Sequence, residues 1–228
     1  FRPNEHVDSF AYLLGQDLNV ALAGGTNWSG NWTWLSGATA MGTNSLTPAV
    51  GYPSAWGNCF HLGPNITYWH AAYRNFLKPY SNGMLYFAFV YRPGAVGASK
   101  WSGMSIYDGA TERGFVGAPG DFTAASLQRT GGGTATSVYQ ISTSGDNTLI
   151  TKYDFNTHMW YLQAYYQTDT IPAAEPTVWG AGIDMLANHI TNITRVAFNA
   201  GGWSGGDVRN AYYDEIRVAT NWAELVDG

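Results

Sequence analysis

The chain consists largely of short segments in which apolar residues alternate with polar ones or run continuously, separated by glycine-rich turns. This spacing is typical of β-strands, whereas an amphipathic helix needs apolar residues every three or four positions. Helical periodicity is nearly absent. Only residues 184–189 and 220–226 suggest a helical turn, the second with Thr220 as its N-terminal cap. Many short strands joined by tight turns predict an all-β protein with two packed antiparallel sheets.

Two regions give the clearest strand predictions. The segment from Met84 to Arg92 (MLYFAFVYR) is apolar on both faces, which predicts a central strand covered on each side. The segments 147–154 and 158–167 flank the turn 155–157, and this pair predicts a hairpin. Further strands are predicted at residues 9–14, 101–108, 113–116, 137–142, 193–199 and 212–218.

Composition favours one folded domain spanning residues 1–228. Aromatic residues make up 15% of the chain and charged residues only 12%. Disordered chains and coiled coils both depend on abundant charge, so these two classes are excluded. The stretch 170–182 contains prolines but is interpreted as a loop within the domain rather than a linker. No run of 18 apolar residues is present, so no transmembrane helix is predicted.

Charge and motifs indicate an extracellular protein. The net charge is −5 and no basic stripe is present, which argues against a nucleic-acid partner. The sequence begins at Phe1 without a charged leader, as expected of a mature protein that is secreted or displayed at the cell surface. Candidate glycosylation motifs of the Asn-x-Ser/Thr type occur at Asn27, Asn31, Asn65 and Asn192, although a chain rich in these residues also produces them by chance.

Cys59 is the single cysteine, so an intramolecular disulfide is excluded. We expect it to be a small buried apolar residue. An intermolecular disulfide is the alternative interpretation.

Four stretches carry a family resemblance: residues 9–16 (SFAYLLGQ), 24–32 (GGTNWSGNW), 148–155 (TLITKYDF) and 212–222 (YYDEIRVATNW). In this order they resemble the concanavalin A-like lectin/glucanase superfamily, in its LamG-like bacterial branch, over essentially the whole chain. The resemblance implies a jelly-roll sandwich whose N- and C-terminal strands pair. It also implies that 214–217 closes the fold. Because side chains alternate along a strand, Glu215 and Arg217 are expected to share one face of the last strand.

The abundance of aromatic and amide side chains suggests sugar binding, because indole and phenol rings stack on sugar rings while amides bond hydroxyls. We therefore predict a non-catalytic, lectin-like domain for a neutral glycan or polysaccharide. Tryptophans near Gly, Ser or Asn are expected to be exposed, although only about two or three of the ten should contact ligand. The candidate binding residues are Trp28, Trp32, Trp34, Trp56, Trp69, Trp101 and Trp203.

Two other functions remain open. The same low-charge aromatic surface would suit self-association in a surface or filament protein. A polysaccharide lyase or glycoside hydrolase is the other alternative, but a hydrolase needs two carboxylates about 5 to 9.5 Å apart. The acidic residues of this chain are isolated from one another in sequence. The predicted strand 161–167 (YLQAYYQ) faintly resembles the Tyr/Lys/Gln strand of alginate lyases, but it lacks the lysine. No catalytic residue is therefore assigned.

A metal cofactor is not required by any motif in the sequence. Histidine and cysteine motifs for metals are missing. The resemblance implies that a structural Ca²⁺ is common among such folds, and Asp207 and Asp214 are weak candidate ligands.

Overall fold

The computed structural model describes residues 6–8, 27–36, 39–41, 45–54, 58–63, 70–97, 99–188, 190–202 and 210–227. Within these ranges the chain forms two antiparallel sheets, a 3₁₀ turn at Leu186–Asn188 and one short helix, α1 (Trp222–Val226). The predicted all-β sandwich is therefore confirmed.

One sheet has eight described strands. In sheet order these are β13 (Ala181–Asp184), β12 (Met159–Tyr166), β11 (Asn147–Asp154), β6 (Met84–Pro93), β15 (Ala211–Ala219), β4 (Phe60–Leu62) and β3 (Thr39–Met41), and β1 (His6–Asp8) also pairs with β15.

The other sheet has seven described strands. In sheet order these are β10 (Thr134–Gln140), β9 (Ala124–Arg129), β8 (Thr111–Ala118), β7 (Lys100–Asp108), β14 (Ile193–Gly202), β5 (His70–Tyr80) and β2 (Trp28–Ser36).

The core between the sheets is built mainly from stacked aromatic rings. Phe198 of β14 stacks on Tyr213 of β15, with ring centroids 4.3 Å apart and an interplanar angle of 17°. Trp32 stacks on the same Phe198 at 5.5 Å, and Phe89 meets it edge-on at 5.5 Å. Burying a large apolar side chain contributes roughly 1.5 to 3 kcal/mol, so this cluster is a main source of cohesion between the two layers.

The eight-stranded sheet is covered on its outer face as well. Tyr86, Ala88 and Val90 of β6 point away from the inter-sheet core and belong to a second buried cluster. Residues 45–52 and α1 supply much of this covering layer, including Leu46 and Trp222. A strand buried on both faces must be apolar throughout, which confirms the interpretation of 84–92 as a covered central strand.

Cys59 lies in this second cluster and is only 3% exposed. Burial and the nearby Asp214 carboxylate raise the pKa of its thiol to about 11. The thiol is free, so the prediction of a small buried apolar residue is confirmed.

The first and last described strands pair, as the resemblance implied. Val7 of β1 lies opposite Arg217 of β15 in an antiparallel ladder. The predicted first strand at 9–14 lies outside the described residues. The pairing of β15 with β6 shifts register between Asp214 and Arg217, where Glu215 has a φ of +44°. Tyr52, in the layer that covers the outer face of this sheet, stabilises the bulge, because its hydroxyl donates to the Glu215 carbonyl at 2.9 Å.

The short helix α1 follows β15 directly. Its N-terminal cap is Asn221, whose side-chain oxygen accepts from the Glu224 amide at 2.9 Å. The prediction of Thr220 as the cap was therefore wrong by one residue. Both residue types cap helices well, and the extended backbone of Asn221 places its side chain over the first turn.

The loop 170–180 folds back over the outer face of the eight-stranded sheet. Glu175 accepts hydrogen bonds from Lys152 at 2.5 Å and from the Tyr86 hydroxyl at 2.7 Å. The Lys152 ammonium also lies 5.1 Å from the centre of the Trp179 ring. These contacts hold the loop against the domain, in agreement with its interpretation as an excursion. Within the described ranges, no helix is long and apolar enough to cross a membrane.

Candidate functional site

The seven-stranded sheet carries a group of polar side chains on the face that points away from the core, called the site face below. Met104, Val116 and Phe198 belong to the inter-sheet core. Because side chains alternate along a strand, their chain neighbours point to the site face.

Strand register groups the site-face residues into three rows that run across the sheet. The glycine row contains Ala71, Asn199, Gly103, Gly117 and Ser126. The serine row contains Tyr73, Ala197, Ser105, Phe115 and Gln128. The arginine row contains Asn75, Arg195, Tyr107 and Glu112.

Two neighbouring positions of the glycine row, Gly103 and Gly117, can be occupied only by glycine. Gly103 and Gly117 pair directly and have φ angles of +152° and +142°. A Cβ atom on Gly103 would lie 2.0 Å from the Val116 carbonyl oxygen, and one on Gly117 would lie 2.2 Å from the Ser102 carbonyl oxygen. Side chains are therefore excluded at these two positions next to Asn199, and both glycines are buried.

Asn199 is the central polar residue of the glycine row. Its side-chain nitrogen donates to the Ser105 hydroxyl at 2.7 Å and to the Ala197 carbonyl at 3.2 Å. Both partners accept from it, so they fix which end of the amide is nitrogen and which is oxygen.

The Asn199 Oδ1 atom is buried and has no hydrogen-bond partner among the described residues. The residue as a whole is 1% exposed. A buried acceptor without a donor costs about 1 to 3 kcal/mol. A donor from outside the described residues would relieve this cost.

Glu112 ends the hydrogen-bonded chain that begins at Asn199. The Ser105 hydroxyl donates to Glu112 Oε1 at 2.7 Å. Burial raises the pKa of Glu112, and the hydrogen bond from Ser105 partly opposes that rise. Among the described residues of the three rows, Glu112 is the one carboxylate, so these rows do not contain the acidic pair that glycoside hydrolysis needs.

Arg195 lies close to two tyrosine rings of the site face. Its guanidinium carbon is 4.3 Å from the ring centre of Tyr73 and 4.4 Å from that of Tyr107. Such stacking restricts the side chain and fixes the direction of its remaining N–H groups.

Two predicted binding tryptophans belong to the core instead. Trp28 is 8% exposed and Trp32 is 1% exposed, so their predicted exposure was wrong. The physical reason is the strand period: both lie on β2 at even positions and point inward, whereas Ser29 and Thr33 between and beside them are exposed.

Trp101 is the predicted tryptophan that the structure places on the site face. It is half-buried and pairs with Gly201, one row beyond the glycine row. Its ring meets Phe115 edge-on at 5.5 Å. Trp34 lies on β2, but its side chain is not among those described. Trp56, Trp69 and Trp203 lie outside the described residues.

Asp214 does not fit a calcium site. It is fully buried, and its two carboxylate oxygens accept from the backbone amides of Leu46 and Glu215, both at 2.9 Å. Asp207 lies outside the described residues. No cluster of three or more His, Cys, Asp or Glu side chains occurs within the described part of the chain. Calcium binding therefore stays a prediction without a ligand set.

Sequence reasoning did not find the Asn199, Ser105, Glu112 and Arg195 arrangement. These residues come from three strands, and only the register brings them together. A weak signal was present in 193–199 (ITRVAFN), where Arg195 and Asn199 interrupt an apolar strand on one face.

The sequence matches no protein-family model. A comparison with curated protein sequences likewise gave no match. Solved structures, in contrast, resemble this fold over most of its length.

An endo-1,3-beta-glucanase from Streptomyces sioyaensis superposes with a TM-score of 0.54 at 13% identity, covering 93% of this chain and 94% of that one. Lectin I from Ulex europaeus, in complex with the methyl glycoside of alpha-L-fucose, gives a TM-score of 0.53 at 7% identity, covering 95% and 99%. The cellulose induced protein Cip1 gives 0.53 at 14% identity, covering 86% and 92%.

The chain spans only 17% of a sialidase that it also resembles, at a TM-score of 0.53 and 8% identity. The same fold is thus one part of a longer chain there. At identities this low, structural likeness establishes the fold alone, and the fold of this chain is a concanavalin A-like jelly roll.

Proposed function

We propose that this domain binds a carbohydrate on the site face without cleaving it. The observation that carries the proposal is the buried Asn199 Oδ1 atom, which lacks a donor among the described residues. Its orientation is fixed by Ser105 and Ala197. Sugars present many hydroxyl donors, which makes them suitable partners for such an acceptor.

The surroundings of Asn199 also suit a sugar. No side chain projects from Gly103 or Gly117 beside Asn199. Trp101 supplies a partly exposed aromatic ring beside the glycine row, and the buried Phe115 supports that ring edge-on at 5.5 Å. Sites for small molecules typically combine apolar and aromatic walls with a few fixed polar groups.

Binding without cleavage is favoured by the single carboxylate in the three rows. Glu112 receives the Ser105 hydroxyl and has no second carboxylate beside it in the described rows, so its role is to orient Ser105 and Asn199. Resemblance in fold to lectins and to a glucanase is compatible with this proposal. An extracellular location and the LamG-like assignment are parts of the same proposal.

A glycan array tests the proposal, followed by calorimetric titration of any oligosaccharide that binds. Asn199→Ala removes the acceptor and should weaken binding about tenfold or more. Asn156→Ala, in the exposed hairpin turn away from the site face, is the matched control and should bind as the wild type does.

Two outcomes would overturn the proposal. One is a wild-type protein that binds nothing on a broad panel of glycans and polysaccharides. The other is an affinity that is unchanged in Asn199→Ala while thermal melting shows an intact fold. The release of new reducing ends or unsaturated products from a bound polysaccharide would contradict the non-catalytic part.

A further inference from the structure

We infer that the glycan carries a carboxylate, and that Arg195 binds it. This inference rests on the proposed function, because it concerns the same face, and it replaces the expectation of a neutral ligand. A neutral ligand was expected because the chain has few cationic residues. One suitably placed guanidinium is nevertheless enough to recognise one acidic group.

The charge of Arg195 is not balanced by any ion pair within the described residues. Its one hydrogen bond there is a long one, from Nη2 to the Ala110 carbonyl at 3.5 Å. Its Nε atom is buried and lacks a partner among the described residues. The guanidinium therefore keeps most of its hydrogen-bonding capacity unused.

Three of the other described arginines have a carboxylate partner. A carboxylate lies 2.6 Å, 3.9 Å and 3.7 Å from Arg92, Arg113 and Arg217, respectively. Those pairs join loops and strands. Arg195 differs because its contacts on the site face are two aromatic rings, which hold a cation in place without cancelling its charge.

Glu112 is the described carboxylate of the same row, but it does not serve Arg195. Tyr107 lies between the two residues in the strand register, and the Glu112 carboxylate receives the Ser105 hydroxyl instead. A partly desolvated guanidinium without a counter-ion is costly, and a ligand carboxylate relieves that cost through charge-assisted hydrogen bonds.

The spacing of the two key residues indicates an elongated ligand. Arg195 and Asn199 lie four residues apart on one face of β14, which corresponds to about 13 Å along a strand. This spacing joins Cα atoms, and the Arg195 guanidinium reaches toward Tyr73 of the serine row. A ligand that meets both residues would present its carboxylate and its hydroxyl as two separate groups. We infer an acidic oligosaccharide that presents a uronic or sialic acid residue.

Matched pairs of oligosaccharides test this inference, each pair consisting of a uronic or sialic acid compound and its carboxyl-reduced counterpart. The wild type should bind the acidic member about tenfold or more tightly than the neutral one. This preference should shrink as salt concentration rises. In Arg195→Gln the ratio of the two affinities should fall to about one, since the charged donor is gone.

Arg129→Gln is the matched control. It removes the same charge from the same sheet, but Arg129 hydrogen-bonds the Gly132 and Asp184 carbonyls rather than the site face, so the ratio should be retained. If Arg195→Gln does not fold, Arg195→Lys serves instead and should reduce the ratio several-fold, because lysine cannot form the paired hydrogen bonds.

The possible results separate the two proposals. Equal binding of acidic and neutral members by the wild type overturns the acidic ligand and leaves carbohydrate binding intact. An unchanged ratio in a folded Arg195 variant overturns the role of Arg195. If the wild type binds no member of any pair and no other glycan, the proposed function fails and this inference fails with it.

Discussion

The Tyr213 hydroxyl, on the eight-stranded sheet, donates a hydrogen bond to the backbone carbonyl of Asn199 on the opposite sheet at 2.5 Å. The same hydroxyl accepts from the Gly103 amide at 2.8 Å. One buried phenol thus crosses the core and ties together two neighbouring strands at the glycine row. The backbone position of the candidate site therefore depends on hydrogen bonds that Tyr213 makes from the core side of the seven-stranded sheet.

Removing this hydroxyl should affect both stability and binding. Tyr213→Phe keeps the aromatic stacking but leaves the Gly103 amide without its acceptor. We expect a loss of about 1 to 3 kcal/mol in the free energy of unfolding, measured with urea. Glycan affinity should also fall, because the backbones of Asn199 and Gly103 lose the hydrogen bonds that hold them from the core side.

Tyr212→Phe is the control for this experiment, since Tyr212 is the neighbouring residue on the opposite face of β15 and stacks on His61. Equal stability of the wild type and Tyr213→Phe would show that the cross-sheet hydrogen bonds contribute nothing.

Trp32 should be required for folding rather than for binding. It is 1% exposed and stacks on Phe198, so Trp32→Ala should lower the free energy of unfolding by about 3 to 5 kcal/mol. Trp101→Ala, at a half-buried position on the site face, should cost less stability and more glycan affinity. Urea unfolding and titration with a bound glycan measure the two effects. The reverse pattern would mean that the roles assigned to the two tryptophans are exchanged.

Glu112 should make stability depend on pH. Burial raises its pKa in the folded state above the ordinary value of 4.5, so the folded protein holds this proton to higher pH than the unfolded chain does. Stability from this group is therefore present at low pH and is lost as pH rises through the folded-state pKa. Glu112→Gln cannot titrate, and its stability relative to the wild type should rise as pH increases from 4.5 through the raised folded-state pKa of Glu112.

Denaturant unfolding at several pH values measures this difference. A stability difference for Glu112→Gln that is constant or falls with pH would contradict the assigned burial of the carboxyl group.

Cys59 should not react with thiol reagents in the folded protein. The thiol is 3% exposed, and burial raises its pKa to about 11, so little thiolate is present at neutral pH. A chromogenic disulfide reagent at about pH 8 should label it only after denaturant is added. Rapid labelling without denaturant would show that the second cluster opens readily.

Segments with one consistent pattern could be predicted from the sequence. The hairpin of β11 and β12 was found because alternating strands flank a polar turn, and β6 because no charge interrupts its apolar run. β5 (His70–Tyr80) was missed, since Arg74, Asn75 and Lys78 interrupt its pattern. Its buried Arg74 donates to the Gly30 carbonyl at 3.1 Å, a contact that no local sequence pattern indicates.

The candidate site could not be predicted for a different reason. Flanking residues were used to judge whether a tryptophan is exposed, and this failed at Trp28 and Trp32 because the small neighbours occupy the opposite face of β2. The contact between Asn199 and Ser105 joins residues 94 positions apart. Such a contact depends on which strands are adjacent and on their register. Neither can be predicted from the residues of a single strand.

Under the proposed function, the layer over the outer face of the eight-stranded sheet has a consequence for how strongly the protein would attach to a glycan. A molecule with one usable side makes one contact per copy, and a single contact of this kind is readily reversed. Firm attachment to a long polymer would then require several copies acting together, since tethered units raise the effective concentration of each other.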